Sequence, residues 1–110
     1  MKGENSKSIL IIATLDTKGD EVNYLKSLIE EGGHKVLVMD TGILSAPPFQ
    51  PDISREEVAH SIGISIGELI QMEEKGKAIQ AMAEGSKKLV QQLYKGGKIE
   101  GIIGLGGAQG

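Results

Sequence analysis

Two stretches of this sequence bring together residue types able to hold a ligand. The first, TLDTKG (14–19), follows a short apolar run and sets Asp16, Thr17, Lys18 and Gly19 at the start of a helical pattern. A helix N-terminus exposes backbone N–H groups and the positive end of its dipole, which favours an anion, and Lys18 adds a positive charge. Capping is the plainer reading of the same residues: Thr17 with Asp20 has capping-box spacing, and Asp16 is itself a good N-cap. Asp16 is also a candidate single-carboxylate ligand for Mg²⁺, although no spacing forces a second carboxylate beside it.

The second stretch, GLGGAQG (104–110), places Gly104, Gly106, Gly107, Gln109 and Gly110 directly after an apolar run. Glycines there let backbone N–H groups approach an anion with no Cβ in the way, so the stretch suits a cradle for phosphate or carboxylate. A tight strand-to-helix turn is the alternative. The G-x-G-x-x-G fingerprint is broken by Gln109, and no Walker lysine follows any glycine run. Asp40 stands 24 residues past Asp16, about where dinucleotide folds put an acid on ribose hydroxyls. Because the first loop lacks the accompanying glycines, Asp40 reads as a solvated turn aspartate before Thr41 and Gly42. His34 and His60 read as surface or helix-end residues, and the pairs Glu30-Glu31, Glu56-Glu57 and Glu73-Glu74 as solvated faces. No catalytic residue is assigned.

The elements that would position these loops follow from periodicity. SILIIA (8–13) and VLVM (36–39) are apolar runs too short for helices, and read as strands buried on both faces. Between them Val22, Leu25, Leu28 and Ile29 recur at helical spacing, with Asp20 and Glu21 in the first turn and Gly32-Gly33 at the stop. All three prolines, Pro47, Pro48 and Pro51, fall around the only phenylalanine, Phe49, which makes 43–53 a loop with Phe49 as an apolar plug or else a contact for a partner chain. Ser54 and Glu57 have capping-box spacing and open a short helix to about Ser61; a turn and another short helical piece follow. The segment 73–94 reads as an amphipathic helix, with Ala78, Ile79, Met82, Leu89, Val90 and Leu93 on its apolar stripe. Lys98 and Ile99 then open a third strand.

The β-α-β start implies parallel strands joined by a right-handed crossover. If the long connection 41–98 returns the chain over the first strand, the order is 2-1-3. Loops 14–19 and 104–110 would then face each other across a crevice at the switch point, where open α/β sheets bind ligands. The expected fold is a Rossmann-like, three-layer α/β unit.

Composition narrows the function. The chain has 110 residues, 39% apolar and 25% charged, with a net charge of −3 and 3% aromatic residues. That balance argues against a nucleic-acid surface, which needs a basic stripe and stacking rings. With no cysteine there is no disulfide, thiolate metal site or cysteine nucleophile, which fits a reducing cytosol and a cytoplasmic location. No apolar run approaches the ~20 residues of a membrane span, so no membrane partner is expected. A chain of this size buries roughly 65% of its unfolded surface, enough for one domain. Residues 1–110 read as one partial α/β domain, with a flexible N-terminus at 1–7 and a glycine-rich end belonging to a larger protein.

Together, TLDTKGDEVNYLKSLI (14–29), PDISREEVA (51–59) and GIIGLGGAQG (101–110) resemble the N-terminal part of the tomato mosaic virus resistance protein-like family. That resemblance implies an ATP-binding domain in a longer protein of two α/β halves. By position, it assigns nucleotide contacts to Asp16, Thr17, Lys18 and Gly19, and to Gly104, Gly106, Gly107, Gln109 and Gly110. The family loop reads GLGGS-x-G-T, and Ala108 here stands in place of its serine. The leading expectation is a module for ATP or a similar phosphorylated ligand, with Mg²⁺ accompanying the nucleotide. The alternatives are part of a metabolic enzyme acting on a phosphate- or carboxylate-bearing small molecule, or a structural unit that assembles subunits. Open sheet edges make a homo-oligomer the expected state.

Overall fold

The run at 8–13 has no polar alternation, as suits a strand covered on both faces. In the computed structural model, which describes residues 6–105, it forms β1 (Ser8–Ala13). Helix α1 (Leu15–Glu31) and strand β2 (Lys35–Asp40) follow, then α2 (Arg55–His60), α3 (Ile66–Gln71), α4 (Lys75–Lys95) and β3 (Gly101–Leu105). The three strands are parallel and lie in the order β2-β1-β3, as expected. Residues 1–5 of the expected flexible N-terminus, and 106–110 of the glycine-rich stretch, lie outside the described residues.

Each face of the sheet has its own core. Val22 of α1, with Leu25 and Ile29 beside it, packs on Ile11, Ala13, Val36 and Val38. On the opposite face Val58, Leu69, Ala78 and Met82 bury Leu10 and Met39. The result is helix, sheet, helix: a three-layer α/β unit.

Helices α1 and α4 end alike. Gly33 and Gly97 adopt left-handed φ of 89° and 70°. In each case the next residue's N–H reaches back to a carbonyl of the last turn, His34 to Ile29 at 3.3 Å and Lys98 to Leu93 at 2.8 Å. This is the Schellman stop, and it turns the chain straight toward the next strand. Helix α2 carries the expected capping box between Ser54 and Glu57. Helix α3 carries another, between Ser65 and Glu68; each N-cap is worth about 1 kcal/mol.

Two boundaries and one helix face differ from expectation. Helix α1 begins at Leu15, two to three residues before the start that an Asp16 or Thr17 N-cap implies, because the Leu15 N–H is held by the Asp40 carboxylate as soon as β1 ends. Lys18 then departs from helical geometry (φ −120°, ψ 16°), so the first turn is offset from the rest. In α4 the buried seam runs through Ala78, Met82, Gly85 and Ser86, which rotates Ile79 outward to 53% exposure. Strand β3 begins at Gly101, since Lys98 closes α4 and Ile99 is buried in the α2–α4 core.

The proline-rich segment forms no helix or strand apart from a single parallel bridge between Ile53 and Met39. Asp52 and Ile53 both donate their N–H groups to Val38 O, and the Val38 N–H donates to the Asp52 carboxylate at 2.7 Å. The outer edge of β2 is thereby covered. Phe49 is half-buried and packs on the α1 face of the sheet, the plug its setting suggested.

Candidate functional site at the strand ends

The register sets the geometry. Ala13 lies level with Asp40 on one side and with Leu105 on the other, so the three strands end abreast. Strands β1 and β3 therefore end side by side at the carboxyl end of the sheet. That adjacency is the one the order 2-1-3 required.

Much of the first loop is committed to internal bonds. Asp16 Oδ2 accepts from the N–H groups of Leu44 (2.8 Å) and Ser45 (3.2 Å). Its Oδ1 is shut off from solvent and has no hydrogen-bond partner. Asp16 is thus not the N-cap; that position belongs to Thr14, whose side chain makes no capping bond. Nor does Thr17 cap Asp20. Its hydroxyl pairs with the Thr14 hydroxyl at 2.7 Å, and Thr17 itself is exposed. Lys18 lies 3.8 Å from Glu21 in a solvent-exposed pair of little energetic weight. Gly19 is buried against the proline-rich loop, where a Cβ would come within 2.6 Å of Pro48 Cγ. Its lack of a side chain serves packing.

Asp40 is the residue the sequence misplaces. It is 1% exposed, and its Oδ1 accepts from the N–H groups of Leu15 (3.1 Å) and Gly42 (2.8 Å). It is a buried clamp that joins the ends of β1 and β2, and not a solvated turn residue. Burial pushes its carboxyl above the ordinary aspartate value; the two N–H bonds oppose that rise, the charge of Asp16 adds to it, and Arg55 counters it. Thr41 completes the junction by donating its N–H to Ala13 O at 2.9 Å. Arg55 Nη1 donates to Ser45 O at 3.0 Å, so 42–45 is tied to α1 through Asp16 and to α2 through Arg55. The signal for this role was Asp-Thr-Gly immediately after an apolar strand, read together with the parallel pairing that puts Leu15 beside it.

These contacts decide what the site can hold. A hydrated Mg²⁺ does not fit Asp16 as it stands, because one oxygen is closed off and the other is occupied by two backbone donors. Among the described residues no group of three or more His, Asp or Glu side chains is arranged to hold a metal ion. On the β3 side, Gly104 is exposed, and a Cβ placed there would meet nothing within 4 Å. Gly106, Gly107, Gln109 and Gly110 lie outside the described residues.

The two histidines stay outside this site. His34 accepts the Lys7 N–H at Nδ1 (3.0 Å), and His60 sits exposed in the last turn of α2. His60 and Glu56 line an open groove with Ile64 and Ile66. None of its lining residues belongs to the strand-end loops.

Comparison with known proteins gives the family. Residues 7–110 match a family model described as the N-terminal domain of the uncharacterised protein family UPF0261. A UPF0261 protein of Clostridium tetani is 41% identical over 105 residues, covering 96% of this chain and 26% of its own. One from Brucella suis is 38% identical over 106 residues, covering 96% of this chain and 25% of its own. A third, from Rhizobium meliloti, is 33% identical over 104 residues, covering 94% and 25%. The chain thus spans about a quarter of the length of these relatives. No solved structure matches. The resemblance to the tomato mosaic virus resistance protein-like family is corrected by these matches, all of which carry the UPF0261 description. No helix among the described residues is long and apolar enough to cross a membrane.

Proposed function

The chain belongs to the UPF0261 family, and from that premise we propose that this N-terminal domain binds a nucleotide or a similar phosphorylated small molecule at the carboxyl end of its sheet. The observation that carries this reading is the strand order β2-β1-β3. It makes β1 and β3 neighbours, with the connection that leaves β1 covering one face of the sheet and the connection that reaches β3 covering the other, and open α/β sheets bind ligands at such a switch point.

The two sides of the crevice have different roles. Gly104, Gly106, Gly107 and Gly110, with Gln109, supply close backbone approach to phosphate oxygens. Thr14 and Thr17 offer hydroxyls from the β1 side, and Lys18 supplies the positive charge. Asp16, Gly19 and Asp40 act indirectly, by fixing the path of 40–49 around that wall. The two carboxylates make the start of α1 less welcoming to a bare anion, which supports assigning the phosphates to the glycine side. ATP is the ligand to test first, with and without Mg²⁺, and the cysteine-free composition supports a cytoplasmic setting.

Thermal melting tests the reading. A ligand at 100 times its Kd stabilises the folded state by about 2.7 kcal/mol, which for a domain of this size raises Tm by roughly 10 °C or more. Gly106→Val should abolish the shift. Melting curves of both this chain and the full-length Clostridium tetani protein that are indifferent to ATP, ADP and pyrophosphate would reject the proposal.

A further inference from the structure

The two edges of this sheet are treated differently. On β2 the outer edge is covered by Asp52 and Ile53, as described above. On β3 nothing among the described residues pairs with the outer edge. The Glu100 N–H donates inward to Ser8 O at 2.8 Å. The Lys35 N–H donates to Lys7 O and the Thr41 N–H to Ala13 O, so Leu10 and Ile12 turn their backbone groups to β3. In the register Leu10 with Ile102 and Ile12 with Gly104, the backbone groups of Gly101, Ile103 and Leu105 face β1, while those of Ile102 and Gly104 face outward. An edge of this kind, parallel and apolar, is a template for one more strand.

The handedness of the connections selects the face as well. From β1 to β2 the chain moves one way across the sheet, with α1 on the Ile11 and Val38 face. From β2 to β3 it moves back, with α2–α4 on the Leu10 and Met39 face. A further step beyond β3 continues in that second direction, so a right-handed crossover carries its helix on the α2–α4 face. Ile102 lies level with Leu10, and Gly104 with Ile12, on that same face. Ile102 is left 49% exposed, and the space over Gly104 is open. Topology and surface exposure thus indicate the same vacancy independently.

The occupant follows from the relatives. The matched segment is an N-terminal domain, and the proteins that contain it are about four times as long. We propose that the outer edge of β3 receives a fourth parallel strand from the part of the longer family members that follows this domain, with a connecting helix over Ile102 and Gly104. The sheet then reads 2-1-3-4, and the strand-end site gains its far wall from that added segment.

Residue-resolved amide exchange tests this on this chain and on the full-length Clostridium tetani protein. In this chain Ile103 and Leu105 should be protected while Ile102 and Gly104 exchange freely. At the aligned positions of the full-length protein, the outward amides should slow by about 100-fold or more. Equally fast exchange in both proteins would overturn the proposal. Protection of Ile102 that appears in this chain as its concentration rises, and is matched by dimers of the full-length protein, would assign the edge to a second copy and overturn it too. A substitution gives an independent reading. Ile102→Asp should move the melting temperature of this chain by no more than about 2 °C, while its counterpart lowers that of the full-length protein by at least about 5 °C. Equal shifts in the two would count against the added strand and helix.

Discussion

The carboxylate of Asp16 rests directly on the Cα face of Gly42: a Cβ at position 42 would lie 2.7 Å from Asp16 Oδ1 and 2.9 Å from Oδ2. This contact lets Asp16 reach the N–H groups of Leu44 and Ser45. Gly42→Ala forces the carboxylate away and leaves those donors unpaired, at an expected cost of about 1–3 kcal/mol in urea unfolding. In an Asp16→Ala background the same change should cost clearly less, because the clash is gone. Additive losses in the double-mutant cycle would mean that the two residues are not coupled.

Asp40 makes stability depend on pH. Its carboxyl is raised in the folded state, chiefly by burial, so between the unfolded and folded values the native protein holds more protons than the unfolded chain. Its contribution is therefore most favourable below the ordinary aspartate value and is lost as pH rises through the raised one. Asp40→Asn keeps an oxygen for the Leu15 and Gly42 N–H groups and removes the buried charge. It should be more stable than the parent at pH 7 and should lack the decline above about pH 4. Stability curves that run parallel from pH 3.5 to 8 would refute this.

Two glycines of α4 should respond oppositely. Gly85 faces Val58 O and Ser61 Oγ across the α2 contact, with no space for a Cβ, and Ser61 Oγ donates to both Val58 O and Gly85 O. Gly85→Ala should cost about 1–3 kcal/mol by separating the helices. Gly76 has open space around it in the first turn of the same helix, and Gly76→Ala should stabilise by about 0.4–1 kcal/mol. Thermal melts of the two variants check both signs. Equal effects would show that α2–α4 packing tolerates more than this geometry allows.

What the sequence disclosed depended on the range of the interactions. Apolar runs marked β1 and β2, Ser54 and Glu57 marked α2, and Gly32-Gly33 marked the end of α1, because each signal lies within a few residues. The same capping spacing at Ser65 and Glu68 was present and would have located α3. Asp40 and Asp16 were misread because Leu15, Leu44 and Ser45, whose N–H groups hold them, are 25 to 29 residues away and meet them only once the strands are aligned. Ile79 was misread because small residues, Gly85 and Ser86, can form a buried seam when a neighbouring helix comes close. Periodicity of large apolar residues does not reveal that. For the site, the level ends of β1 and β3 were legible from the order 2-1-3; which side chains of 14–19 are free to meet a ligand was not.

The central claim is a phosphate-binding crevice between the loops after β1 and β3. Calorimetric titration of ATP, with and without Mg²⁺, into the full-length Clostridium tetani relative tests it most directly, run in parallel with a variant carrying valine at the position aligned with Gly106. The expected result is saturable binding of ATP, weakened at least about 100-fold, or 2.7 kcal/mol, in the variant. Absence of binding by ATP, ADP and pyrophosphate, or binding that the valine leaves unchanged, would contradict it.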